Sequence, residues 1–358
     1  MIELNGSKSL KTLPAFDLQT NINYSPHVVI LGAGASKAAL PRGDANGKPV
    51  PIMAELIECL NLRPLLQSYG IHAEGVNFEA LYDDLVSSHE HTELVREIES
   101  RVHNYFISLK LPDTATLYDY IVLGLREKDM IATFNWDPFL SQAWQRNSQV
   151  VKLPRIIFLH GNVKIGICAN HMVKDFMGNK CNKCGEFLKP TPLLYPVKHK
   201  DYNNDPFIAS EWKEFSSCLN HAYFLTVFGY AVPTTDVEAR ELMQNTWQEN
   251  RTFELAQVEI FDIKLRRDLE KTWANFFCRT HYGIGKDIWQ SYLFSHPRRS
   301  CEAFAMATLQ NSPWQDNPFP RMRNLAKLQR WVRLLWTEEC GGELSGRTCA
   351  ELEGAATK

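Results

Sequence analysis

His27-Val28-Val29-Ile30-Leu31-Gly32-Ala33-Gly34-Ala35-Ser36 is an unbroken apolar run that passes straight into a glycine turn. Five consecutive apolar positions without alternation are the pattern of a strand covered on both faces, as in a parallel sheet. Further candidates follow the same form: Met130 to Phe134, Arg155 to Leu159, Ala222 to Phe228, and Val258 to Phe261. Helix-length stretches separate them, with residues 76–126 reading as helical and Ile52, Leu56, Ile57 and Leu60 at helical spacing. Strand and helix alternation predicts an α/β fold, a Rossmann-like parallel sheet with helices on both faces. From about residue 264 no strand is visible. Leu325, Leu328, Val332, Leu335 and Trp336 recur at helical spacing, with Lys327, Arg330 and Arg333 off that stripe. The expectation is a helix packed on the chain's own core, a basic partner or nucleic-acid surface being the alternative.

Composition narrows the class. The 358 residues carry 39 Lys+Arg against 41 Asp+Glu, a formal charge of -2, which gives no whole-chain footprint for nucleic acid or an anionic membrane. No apolar run approaches the roughly 18 residues that span a bilayer. Nine cysteines, an odd number scattered along the chain, argue against a disulfide scaffold, and the opening residues lack signal-peptide character. The expected compartment is a reducing cytoplasm. Six of the nine read as small buried hydrophobes.

The other three differ. Cys168-Ala-Asn-His171 is followed, nine residues on, by Cys181-Asn-Lys-Cys184, with Gly178 and Gly185 placed for tight turns. Two such knuckles present four soft or borderline ligands to a tetrahedral zinc ion, and with all four positions filled no water site remains, so the zinc is expected to be structural. A displaced site that uses a neighbour in place of His171 is the alternative.

Three strand ends carry polar groups. Glycines at 32 and 34 let backbone N–H groups approach a phosphate, although Lys37 stands where a full dinucleotide fingerprint would have its third glycine. Thr133-Phe134-Asn135-Trp136-Asp137 and Leu159-His160-Gly161-Asn162 end the next two strands. Ligands of open α/β sheets bind outside the carboxyl ends of strands, so Gly32, Asn135 and His160 are expected to converge on one crevice. Separately, each has a plain structural alternative: a tight turn, a turn cap, a satisfied histidine.

In this order, the glycine turn, Asn135-Trp136-Asp137, His160-Gly161, the zinc knuckles, Val227-Phe228-Gly229-Tyr230 and a strand ending at Asp262 resemble the sirtuins, most closely the bacterial sirtuin-like branch that cleaves NAD in anti-phage defence. The resemblance spans about residues 26–265. It implies that Gly32, Ala33, Gly34 and Ser36 hold the NAD pyrophosphate, that Asn135 holds the nicotinamide ribose and attacking water with Asp137 fixing the loop, and that His160 is the general base. Gly229 and Tyr230 would border the adenosine side, and Asp262 its ribose. The organisation it implies is an N-terminal arm (1–25), an NAD-binding catalytic domain (26–265) with a zinc-ribbon insertion (about 164–190), a helical C-terminal region (266–340) and a tail (341–358).

Departures from the protein-deacylating sirtuins point to hydrolysis. Leu40-Pro41-Arg42-Gly43-Asp44 stands where those enzymes have Pro-Asp-Phe-Arg, with Arg42 or Asp44 expected toward the nicotinamide side. Leu193-Leu194-Tyr195-Pro196-Val197 stands where they carry the Phe-Gly-Glu strand that pairs with an acyl-lysine peptide, and Pro192 and Pro196 suit strand pairing poorly. The implied activity is NAD glycohydrolysis by a NAD-depleting defence effector, restrained by homo-oligomerisation or by a partner such as a HerA-type ATPase or an Argonaute-like protein. An NAD-dependent deacylase or ADP-ribosyltransferase, and a non-catalytic NAD or ADP-ribose sensor, are the competing readings.

Overall fold

A computed structural model describes residues 25–197, 200, 202–232, 236–250 and 252–340 of the chain. Apart from Ser25, the expected arm lies outside the described residues, as does the expected tail.

Six strands form the main sheet: β1 (His27–Leu31), β2 (Met130–Thr133), β3 (Arg155–Phe158), β7 (Phe224–Phe228), β8 (Gln257–Phe261) and β9 (Tyr282–Gly285), in the spatial order β3-β2-β1-β7-β8-β9. Every neighbouring pair is parallel. The expected α/β class is therefore what the chain adopts. All five residues of β1 are fully buried, as the unbroken apolar run requires. Between β1 and β7 the chain order reverses direction across the sheet, which opens a crevice at the carboxyl ends of these two strands. The register sets Leu31 beside Thr133 and Phe228, and Thr133 beside Phe158, so the strand ends form one row. Whatever follows each strand is delivered to the same edge.

Helices cover the two faces. Thr92–Ile107 buries Leu94, Ile98, Val102 and Phe106, the i, i+4, i+8, i+12 row of one helical face. Leu117–Gly124 is buried from Tyr118 to its end and starts with a capping box of Thr116 and Asp119. Leu325–Glu339 buries Leu328, Trp331, Val332 and Leu335 and leaves Arg330 and Arg333 exposed, so it completes the core of its own chain. Among the described residues no helix is long and apolar enough to cross a membrane.

β9 corrects the expectation that no strand follows residue 264. It pairs with β8 from Val258↔Tyr282 to Phe261↔Gly285. The segment Tyr-Gly-Ile-Gly hides in sequence because glycine carries no hydrophobic signal and weakens strands. Glycine is nonetheless demanded at 285, where a Cβ would meet the Phe261 ring at 2.8 Å.

A second, antiparallel sheet in the order β5-β4-β6 comprises β4 (Ile165–Cys168), β5 (Val173–Phe176) and β6 (Lys189–Pro190). It carries the two knuckles.

Candidate active site

The row of strand ends brings Asn135, Asp137 and His160 to one cleft, together with Ala33 of the glycine turn and the Phe134 and Trp136 rings. All three polar residues are buried, at 7%, 4% and 6% exposure. Asn135 is oriented without ambiguity. Its side-chain NH2 donates to the Gly32 carbonyl (2.9 Å), an acceptor only, and also to Ser36 Oγ (2.9 Å) and Tyr118 Oη (3.3 Å). Oδ1 is thereby the atom left to accept from a ligand or water.

Asp137 accepts from Ser36 Oγ at 2.6 Å and from the Phe139 backbone N–H at 3.1 Å. Burial raises its carboxyl to about 6 against these two hydrogen bonds. Beneath both loops lies Asn162, which donates to the backbone carbonyls of Asp137 (2.6 Å) and Asn135 (3.3 Å). Asn162 is braced in turn by Thr191, whose hydroxyl donates to the Asn162 carbonyl at 3.1 Å and whose N–H donates to the Ile165 carbonyl of β4. The small sheet is thus tied through the side chains of Thr191 and Asn162 to the loop that carries Asn135 and Asp137.

Several expected ligand contacts take other roles. The Gly32 and Gly34 N–H groups donate to the Phe228 and Gly229 carbonyls at 3.1 and 2.9 Å, and the Ala35 N–H to Gly32. Those donors are therefore occupied by protein, and Ala33 is the residue of the turn that lines the cleft. Glycine is needed here for backbone contact: a Cβ on Gly229, at φ +63°, would sit 2.2 Å from the Ala35 nitrogen. Ser36 is 1% exposed, its hydroxyl donating to Asp137 and accepting from the Asn135 side chain. Tyr230 is buried likewise, its ring stacked 4.0 Å from Phe134 and its hydroxyl donating to Asp236 at 3.0 Å. Asp262, at the end of β8, accepts from the Lys264 N–H at 2.9 Å and is not part of this cleft. Asp44 is consumed as well, accepting from the N–H groups of Asn46 and Lys48 (both 2.8 Å) and Lys110 (3.0 Å), while Arg42 lines a separate depression.

Two residues of the cleft carry no signal in the sequence. Lys200 and Asp236 line it, are 7% and 3% exposed, and form an ion pair. Both lie in polar segments without strand or helix periodicity, so only proximity reveals them. His160 Nε2 faces this pair, 3.9 Å from Asp236 Oδ1 and 3.3 Å from the Tyr202 hydroxyl. Burial lowers the His160 pKa to about 3; Asp236 opposes that shift and Lys200 adds to it. Burial alone would raise Asp236, but His160 and Lys200, with hydrogen bonds from Lys200 and Tyr230, hold it below the ordinary carboxyl value.

The segment after the small sheet crosses the cleft as irregular chain. The Leu194 N–H donates to the His160 carbonyl at 3.0 Å, Tyr195 packs on Trp136 and Tyr82, and its hydroxyl reaches the Glu99 carbonyl at 3.2 Å. Leu194 and Pro196 face the cavity.

Cys168, His171, Cys181 and Cys184 gather as their spacing requires, with ligand atoms all within 4.8 Å of one another. The Cys168 sulfur is 3.4 Å from His171 Nδ1 and 3.8 Å from the Cys184 sulfur, and the Cys181 sulfur is 3.7 Å from the same nitrogen. Zn–S bonds of about 2.3 Å and Zn–N of about 2.0 Å give a tetrahedron with edges of roughly 3.5–3.8 Å, so the four atoms fit that ion. The knuckle glycines 178 and 185 both take positive φ, 93° and 77°. Among the described residues every cysteine is a free thiol.

No family model matches the chain, and no curated protein matches it by sequence. Among solved structures it is similar to sirtuins. One, bound to a propionylated peptide, shares 14% identity at a TM-score of 0.37, the match covering 84% of this chain and 99% of that one. Another, from work on sirtuin substrate affinity, shares 16% at 0.39, covering 77% and 94%. A third, Sir2 with a p53 peptide and NAD, shares 14% at 0.35, covering 84% and 99%.

Proposed function

We propose that this chain hydrolyses the nicotinamide–ribose bond of NAD to give nicotinamide and ADP-ribose. The observation that carries the reading is the meeting of Asn135, Asp137 and His160 in one buried cleft at the reversal point of a parallel sheet, over the glycine turn. In the reaction the C–N glycosidic bond breaks with its electron pair leaving on nicotinamide, water oxygen bonds to the ribosyl carbon, and one proton is lost. The transition state is a ribosyl oxocarbenium ion, so positioning of water and electrostatic stabilisation are the enzyme's main tasks.

Asn135 Oδ1, its amide nitrogen pinned by three acceptors, is placed to accept a hydrogen bond from the attacking water or a ribose hydroxyl. His160 takes the proton. Asp137, tied to Ser36 and the Phe139 N–H, keeps the loop in register. The cleft holds about 70 Å³ of free space between the side chains that line it, Lys200 and Leu194 among them. By the resemblance, residues 193–196 stand where the deacylating enzymes carry their peptide-pairing strand; here they are irregular chain with Leu194 and Pro196 against the cleft, which supports hydrolysis over deacylation. The thiol and imidazole cluster holds a structural zinc ion that stiffens the small sheet and, through Thr191 and Asn162, the catalytic loop. By the resemblance in motif order, the biological role is NAD depletion in anti-phage defence, with the chain held in check by self-assembly or by a HerA-type or Argonaute-like partner. A monomer fully active with no trigger would overturn that restraint.

Purified protein incubated with NAD, alone and with candidate partners, should release nicotinamide and ADP-ribose, and Asn135→Ala should abolish release while NAD still binds. No nicotinamide under any condition, or equal activity in Asn135→Ala, would refute the reading. Release only with an acyl-lysine peptide, yielding acyl-ADP-ribose, would make the chain a deacylase.

A further inference from the structure

The Lys200–Asp236 pair needs an account of its own. A buried ion pair contributes little net stability, because desolvation of both charges offsets their attraction. This one is built into the wall of the cleft. The carboxylate is aimed: Tyr230 donates to Oδ2 at 3.0 Å and the Lys200 ammonium binds Oδ1, the oxygen that lies 3.9 Å from His160 Nε2. The groups around the ring are Asp236, Lys200 and the Tyr202 hydroxyl on the Nε2 side, with Phe134 edge-on at 4.8 Å. Nδ1 has no hydrogen bond to any described residue.

We infer that Asp236 is the positioning residue of His160: its carboxylate, held by Tyr230 and Lys200, keeps the ring proton on Nε2 and leaves Nδ1 as the atom that takes a proton from the attacking water. The inference deepens the hydrolase reading and rests on it for its chemical consequence. A carboxylate on one imidazole nitrogen selects the tautomer, and it sets a negative charge against the imidazolium formed when the other nitrogen is protonated. The separation of 3.9 Å is longer than a hydrogen bond, and across it the carboxylate acts on the ring through its charge. Tyr202 offers the opposite arrangement, since a phenol donating to Nε2 would move the ring proton to Nδ1. The two arrangements differ in which nitrogen carries hydrogen, and that is measurable.

The experiment uses the full chain labelled with ¹⁵N-histidine, the His160 signals being assigned by their loss in His160→Gln. The parent and Lys200→Met should show a protonated Nε2 and a bare Nδ1. Asp236→Asn strands the Lys200 charge in a buried site and can fail to fold, so the Asp236→Asn/Lys200→Met double variant is the decisive one. Its circular dichroism should match the parent, its His160 signals should move to a mixture of tautomers, and its kcat for NAD should fall ~10²–10⁴-fold below Lys200→Met with KM changed less than about threefold. Asp236→Glu should restore part of the rate. A bare Nε2 in the parent, an unchanged tautomer in the double variant, or a kcat equal to that of Lys200→Met would overturn the inference. A parent that never cleaves NAD would sink the hydrolase reading, and the tautomer comparison would still decide the role of Asp236.

Discussion

Two histidines sit at opposite ends of the same sheet. His27, at the start of β1, is fully buried and burial lowers its pKa to about 3; His160, just past the end of β3, is 6% exposed and lowered by burial to about 3 as well. Their hydrogen bonding separates them. Both ring nitrogens of His27 are taken, Nδ1 by Ser300 Oγ at 2.6 Å and Nε2 by Thr226 Oγ1 at 2.8 Å, and its backbone N–H donates to Asp129 at 2.8 Å. His160 has one ring hydrogen bond, at Nε2, and lines a cleft. A buried polar group whose valences are filled by the protein is part of the architecture, and one that keeps a valence open toward a cavity is available for chemistry. Burial and pKa alone do not distinguish the two.

The comparison breaks most sharply at His160. His160→Gln should lower nicotinamide release ~10²–10⁴-fold while the thermal midpoint moves by only a few degrees; a stable variant of parental activity would end the distinction. His27→Leu should do the reverse, losing ~2–4 kcal/mol in urea unfolding as the Ser300 and Thr226 hydroxyls lose their partner, with kcat within about twofold of the parent.

Acid pH tests the feature the two share. Both rings are neutral in the fold and gain a proton in the unfolded chain near its ordinary value of 6.5. The unfolded state therefore binds more protons between pH 6.5 and 3, and stability falls as pH drops through that window. From pH 7 to 5 each histidine should account for about 2 kcal/mol of the loss, so either substitution should flatten the urea-midpoint profile by that amount. A profile unchanged by both would show that neither ring is neutral in the fold.

The smallest effect is expected at a third histidine. His171→Cys keeps four ligands on the zinc, so one zinc per chain by elemental analysis and a stability within ~1 kcal/mol of the parent are expected. Chelation of the parent should lower the melting temperature before it inhibits folded enzyme; inhibition without loss of stability would make the metal catalytic.

Much of this was legible in the chain. Five strands of the sheet announced themselves as short, mainly apolar runs, because a strand covered on both faces is enriched in apolar residues along its whole length and not only at alternate positions. The convergence of Asn135 and His160 was legible for the same reason, since parallel strands in register put their carboxyl ends on one edge. The knuckles were legible because metal ligands recur at fixed short spacing. β9 was hidden by Gly283 and Gly285, whose value lies in fitting against neighbours. Ser36 and Tyr230 were placed on the dinucleotide by motif, whereas packing turned both inward to support Asn135, Asp137 and Asp236.

Local pattern, then, was enough for the layer architecture, the edge that bears the site and the metal knuckles, because each follows from the chemistry of a few consecutive residues. Folding alone settled which polar groups are spent and which remain open. Lys200 and Asp236 meet His160 from segments 40 and 76 residues downstream, and the glycine-turn donors are taken by the strand next door. Saturation of a hydrogen bond depends on what is close in space, and no sequence spacing encodes it.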